Sequence, residues 1–160
     1  MKNCWYVAGW SHEVEADALF ARTICNKRIV FWRDEAGRLH ALDDRCCHRG
    51  APLSIGRKEG NAVRCMYHGF LFDTSGACIE IPGHAQIPPK AHVRSYAVVE
   101  RSRWIWLWMG DPAQADESLI PDTHWLDDPD WACTQPGRLH YDVNYQLVND
   151  NLLDFSHLSY

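Results

Sequence analysis

The chain has 160 residues, 46% of them hydrophobic and 23% charged, a balance that suits one ordinary buried core with room for part of a second and excludes a disordered chain. Sixteen basic against twenty-one acidic residues leave a net charge of -5 with the histidines neutral, which argues against nucleic acid or an anionic membrane as the main partner. Seven cysteines is an odd number, and Cys46 and Cys47 are adjacent, so reduced thiols or metal ligands fit better than an extracellular disulfide framework.

The opening stretch MKNCWYVAGWSHEVEADALF contains acids within its first fifteen residues and no long apolar run, so it reads as neither a secretory signal nor a spanning helix. A cytoplasmic location is the expectation. CNKRIVFWRDEAGRLHALDDRC predicts two strands joined by a turn at 34–37, because short β-branched and aromatic runs flank a glycine-containing cluster. CMYHGFLFDTSGACIEIPG repeats that design with its turn at 73–76, and RSYAVVERSRWIWLWMGDP adds two more strands. In the second of these, Trp104, Trp106 and Trp108 fall on one face and Ile105, Leu107 and Met109 on the other, so both faces are expected to be covered.

Residues 1–110 therefore read as a small, mainly β, antiparallel domain. No lysine or arginine occurs between Arg103 and Arg138, while aspartates accumulate among prolines and tryptophans, so 111–137 reads as an acidic connector. Within 138–160, RLHYDVNYQLV predicts a strand and NDNLLDFSHLSY a helix capped by Asn149 or Asp150, the incomplete start of a second, α+β unit. No glycine or proline closes that helix, and the sequence is expected to be the front portion of a longer protein.

Two hairpin-end segments carry paired metal donors: RCCHRG holds Cys46 and His48, and RCMYHGF holds Cys65 and His68, each pair shortly before a glycine. Zinc accepts two thiolates and two imidazoles, but its usual fingers group cysteine with cysteine and histidine with histidine, whereas each tip here has one of each. A two-iron, two-sulfide cluster with cysteines on one iron and histidines on the other is what mixed pairs on two loops can build. Gly50 and Gly69 are expected to let backbone approach the sulfurs. For Cys4, Cys25, Cys78 and Cys133 small apolar filler is the plain reading, and Cys47 reads as an inert small residue or an oxidisable thiol.

The CxH pair, followed after sixteen residues by CxxH and flanked by HRGAPL and HGFLFD, resembles the Rieske iron-sulfur motif, with Cys47 where relatives commonly have proline. The resemblance implies a [2Fe-2S] cluster with Cys46 and Cys65 on one iron and His48 and His68 on the other, a centre that relays single electrons.

If the last segment is helical, Asp150, Asn151, Asp154 and His157 share about a third of its circumference at ~100° per residue. Taken from the residues alone, that stripe is a helix cap with a satisfied histidine. The whole chain, from NCWYVAGW through RIVFWR to DNLLDFSH, resembles Rieske non-haem iron oxygenases, the branch of vanillate and related aromatic O-demethylases in particular. On that resemblance His157 is the first histidine ligand of a mononuclear Fe(II) and Asp154 the catalytic acid that bridges this iron to the Rieske histidine of a neighbouring subunit, with Asn151 nearby. It also implies, for a full-length enzyme, a small aromatic acid and O2 as substrates, an NADH-dependent reductase carrying flavin and iron-sulfur groups as electron donor, and a homotrimer. A stand-alone Rieske ferredoxin that only shuttles electrons is the alternative, and a zinc-binding interaction module a third. Arg45, Arg49, Arg57, Lys58 and Arg64 gather around the paired donors and, opposite the acidic connector, are expected to form a docking patch.

Overall fold

The computed structural model describes residues 3–134 and 136–159, with the side chains of residues 157 and 159 outside the described part. Its centre is β3 (Lys27–Arg33), a strand whose two faces both meet apolar side chains. Because side chains alternate along a strand, Ile29 and Phe31 enter one core while Val30 and Trp32 enter a second, all four fully buried. β3 pairs antiparallel with β2 (Phe20–Ile24) and β4 (Leu39–Asp43), and β4 repeats the division, Ala41 facing one core and Leu42 the other.

The first core is closed by β1 (Trp5–Trp10), β9 (Val98–Arg101) and β10 (Trp104–Trp108), in the order β1-β10-β9. Ile105 and Leu107 of β10 point into it with Ala8 and Tyr96. The tryptophans occupy the opposite face: Trp104 stacks on Trp10 at 3.5 Å between ring centroids, and Trp108 meets Trp5 edge-on at 5.4 Å. The second core is closed by a sheet of four short strands in chain order, β5 (Arg57–Glu59), β6 (Ala62–Arg64), β7 (Leu71–Phe72) and β8 (Cys78–Glu80). Cys46, Val63, Cys65, Phe72 and Cys78 belong to this second core. The mainly β, antiparallel architecture expected from the sequence is what forms.

The residues after β10 depart from the sequence reading in detail. The segment 111–127 folds back as three short 3-10 turns, and the carbonyls of Asp111 and Asp116 accept hydrogen bonds from the indoles of Trp108 and Trp5, at 2.8 and 2.7 Å. The strand expected in RLHYDVNYQLV does not form. Among the described residues no strand pairs with it, and Leu139, Tyr141 and Val143 stand exposed. Instead the Asn144 side chain accepts from the Gln146 amide at 2.9 Å and starts α1 (Tyr145–Leu153), so the helix begins before the caps expected at Asn149 and Asp150, which lie inside it. It ends at Leu153 because Asp154 turns its side chain onto the amide and hydroxyl of Ser156, at 3.0 and 2.6 Å, opening a 3-10 turn over Ser156–Ser159.

Candidate metal centre

β4 and β6 each run directly into a short loop, and the two loops are closed in the same way. In the first, the Cys46 amide donates to Ala51 O at 2.8 Å and the Gly50 amide to Cys46 O at 3.0 Å. In the second, the Cys65 amide donates to Phe70 O at 2.8 Å and the Gly69 amide to Cys65 O at 3.1 Å. The repeated element is thus a cysteine followed four residues later by a glycine. The differing Cys-to-His spacing, two and then three, is a variation on that one frame.

Gly50 and Gly69 have φ of +72° and +73°, the left-handed region that closes these turns. A Cβ at Gly69 would come within 2.7 Å of Pro82 Cγ, and one at Gly50 within 3.3 Å of Arg45 Nε. Turn conformation and close side-chain packing are two reasons for glycine at these positions.

The loops bring the four predicted donors together with their chemistry sorted by depth. Cys46 and Cys65 are buried together in the second core, 3% and 2% exposed. His48 and His68 are exposed above them, their ring centroids 4.6 Å apart. His48 also stacks on Phe70 at 4.8 Å, and Tyr67 covers His68 at 3.9 Å. Burial, and then the neighbouring Cys65, push the Cys46 thiol up to about 12, with a hydrogen bond from the His48 backbone opposing them. A group so reluctant to ionise becomes a thiolate when a metal cation supplies the compensating charge. His48 is held below its ordinary value by desolvation first, and by His68 and Arg49 after it. A neutral imidazole is the form that ligates.

Among the described residues no three His, Cys, Asp or Glu side chains converge on a single point, as the four ligands of one tetrahedral zinc would have to. Two sulfurs at an inner end and two imidazoles at an outer end suit a two-metal group, each metal taking one pair.

Charged residues just ahead of each cysteine fasten the loops, which composition alone did not signal. Asp44, fully buried, accepts from the Ser54 amide and hydroxyl at 2.7 and 2.8 Å and from Arg28 at 2.9 Å. Arg64, its side chain only 11% exposed, donates to Glu59, Glu80 and Gly69 O. The docking patch expected around the loops is accordingly smaller than its cation count. Arg57 is paired with Glu59, Lys58 is bound to Ala16 O and Asp17, and Arg64 is enclosed. Arg45 and Arg49 are exposed and have no ion pair among the described residues. The acidic connector is partly neutralised as well, Glu117 by Arg101 and Asp127 by Arg103.

At the other end of the chain, Asp154 is exposed, and its carboxylate is held below the usual range by the Ser156 hydroxyl and amide. Asp150 and Asn151 lie on α1, but Asp154 lies beyond its last turn, so the four residues do not form the continuous helical stripe expected. The backbone of His157 falls in the 3-10 turn, and its side chain lies outside the described residues. No helix of the described residues is long and apolar enough to cross a membrane.

Known proteins share this arrangement. The Rieske [2Fe-2S] domain family matches residues 4–97. The toluene-4-sulfonate monooxygenase system iron-sulfur subunit TsaM1 of Comamonas testosteroni is 56% identical over the whole chain and 46% of its own length. The vanillate O-demethylase oxygenase subunit of Pseudomonas sp. (strain HR199 / DSM 7063) is 42% identical over 99% of the chain and 44% of its own, a lower identity than in the sulfonate system. A crystal structure of dicamba monooxygenase with non-heme iron and dicamba superposes on 98% of the chain and 47% of its own length with a TM-score of 0.90 at 41% identity. The chain spans about half the length of the relatives it matches. On its sequence, its two equivalent loops and these likenesses, the chain belongs to the Rieske [2Fe-2S] domain family, in the form found in oxygenase components.

Proposed function

We propose that Cys46 and Cys65 bind one iron, and His48 and His68 the other, of a [2Fe-2S] cluster that passes single electrons within an oxygenase acting on aromatic acids. One observation supports this above the others: two loops of identical closure present buried sulfur on one side and exposed imidazole on the other. When bound, the group takes up and releases one electron, more readily than an all-thiolate cluster because two neutral ligands replace two anions. The chain's own part is to keep water from the sulfurs with Trp32, Leu42, Val63 and Phe72, and to leave the imidazole edges in reach of a partner.

In the complete enzyme, Asp154 would join the Rieske histidine of a neighbouring subunit to a mononuclear Fe(II) held partly by His157, where O2 is used to hydroxylate or O-demethylate the substrate. The relatives name toluene-4-sulfonate, vanillate and dicamba, so the substrate class proposed is a small aromatic acid, in a homotrimeric enzyme of the cytoplasm. An NADH-dependent flavin and iron-sulfur reductase supplies the electrons. Its contact is proposed at exposed Met66 and Tyr67 of the second loop and at Arg45 and Arg49 of the first, which are exposed and have no ion pair among the described residues.

Anaerobic reconstitution with iron and sulfide tests the ligand assignment. A brown protein holding two irons per chain, with an electron-spin signal after dithionite, is expected, and serine at Cys46 or Cys65 should abolish it. A colourless chain that takes up one zinc and no sulfide would refute the assignment.

A further inference from the structure

The two loops are copies in their backbone hydrogen bonds, and each cysteine is preceded by an arginine, yet only one of the arginines is enclosed. Arg45 lies over Gly50 in the open. Arg64 has all three guanidinium nitrogens engaged: Nε with Glu59 at 2.7 Å, Nη1 with Gly69 O at 2.7 Å and Glu80 at 3.0 Å, Nη2 with Glu80 at 3.0 Å and Glu59 at 2.7 Å. Glu59 is held down to about 2 by Arg64 first and Arg57 second, so both carboxylates stay ionised around the guanidinium.

We propose that Arg64 is a positioning residue for both histidines and sets the electron affinity of the centre they hold. The inference rests on the reading of the two Cys/His pairs as cluster ligands. Its geometric half runs through the Gly69 carbonyl. That carbonyl belongs to the peptide joining Gly69 to Phe70; His68 precedes this peptide, and the Phe70 ring is the surface on which His48 stacks, tilted by only 5°. Fixing one peptide plane therefore fixes the approach of His68 directly and of His48 through Phe70.

The electrostatic half follows from charge. Arg64 is a permanent cation one residue from Cys65, removed from water and balanced by Glu80 and by Glu59, which it shares with Arg57. Without it, Glu59 and Glu80 would face the centre with less compensation, and adding an electron would become harder. Glu80 opposes Arg64 in the same field, so neutralising it should make reduction easier. A plain structural staple would weaken the fold when cut but would give no pair of shifts with opposite sign.

The experiment compares the 160-residue chain with its Arg64→Met, Arg64→Lys and Glu80→Gln variants, each reconstituted with iron and sulfide. Iron content, circular dichroism, midpoint potential at one fixed pH and the electron-spin spectrum are measured. For Arg64→Met the ratio of reduced to oxidised centre should fall about tenfold at the wild-type midpoint, which is 59 mV for one electron. Glu80→Gln should shift the ratio the other way. Arg64→Lys keeps the charge but cannot fork between two carboxylates and a carbonyl. It should stay near the wild-type potential and alter the spin signal, which reports the imidazole geometry. Unchanged potential and spectrum in a folded, iron-loaded Arg64→Met protein would overturn the inference and leave the ligand assignment standing. If that variant does not fold, Glu80→Gln and Arg64→Lys decide, and wild-type values in both overturn it. A wild-type chain that takes up no cluster would overturn both readings.

Discussion

Replacing Gly69 by alanine should cost more than the same change at Gly50, although the two residues occupy equivalent places with φ of +73° and +72°. Forcing a residue with a Cβ into the left-handed region costs ~1–2 kcal/mol, and the stiffer unfolded chain gives back ~0.4–1 kcal/mol of that. Gly50→Ala should therefore lose about 1 kcal/mol, because the nearest atom, Arg45 Nε at 3.3 Å, sits on a flexible exposed side chain that can move aside. At Gly69 the new methyl meets Pro82 Cγ at 2.7 Å, on a ring fixed to the backbone. That overlap adds ~1–2 kcal/mol, the lower part of the usual range for overpacking because Pro82 is exposed, for a total of about 2–3 kcal/mol. Urea unfolding of the two single variants, of Pro82→Ala and of the Gly69→Ala/Pro82→Ala pair measures each term, with a coupling of about 1–2 kcal/mol expected in the cycle. Equal losses at the two glycines, or a double variant no more stable than the sum of its singles predicts, would refute the account of why loop 2 needs glycine.

Asp44→Ala removes the acceptor for two Ser54 donors and for Arg28, and should destabilise the chain by about 3 kcal/mol in urea; a loss under ~1 kcal/mol would mean the buried carboxylate is not what fastens loop 1. Acid should weaken the fold in a defined window. Glu59, at about 2, and Glu80 and Glu100 are held below the ordinary 4.5 by Arg64 and Arg33. Depressed carboxylates contribute stability above their unfolded value and lose it as pH falls through the folded one, so the melting temperature should drop between pH 4.5 and 2, after an earlier loss below 6.5 from His48, whose folded value is also lowered. A melting temperature that holds steady down to about pH 2 would contradict those pairings. Asn144→Ala should fray the start of α1 by ~1 kcal/mol, read as reduced ellipticity at 222 nm, and an unchanged spectrum would place the helix start elsewhere.

The hairpins with glycine in their turns were legible in the sequence, since Gly37 and Gly76 sit where the chain reverses between β3 and β4 and between β7 and β8. β2 was not. Its turn into β3 is made by Cys25 and Asn26 with φ of +49° and +60°, a left-handed pair without glycine, so the sequence carried no turn signal ahead of β3. The alternation in RLHYDVNYQLV failed for another reason: local pattern favoured a strand, but among the described residues no strand pairs with it, and the Asn144 side chain starts a helix inside it. At the metal site the donors could be read because cysteine and histidine carry their chemistry in their identity. Their support could not, because Asp44 and Arg64 look like any surface charge until folding brings Ser54, Glu80 and the Gly69 carbonyl to them.

The division of the ligand pairs by depth has a consequence for traffic. With Cys46 and Cys65 buried in the second core and His48 and His68 exposed, a centre held as proposed would turn its imidazole side to solvent. For an electron entering or leaving such a centre, that exposed threshold would be the shortest way.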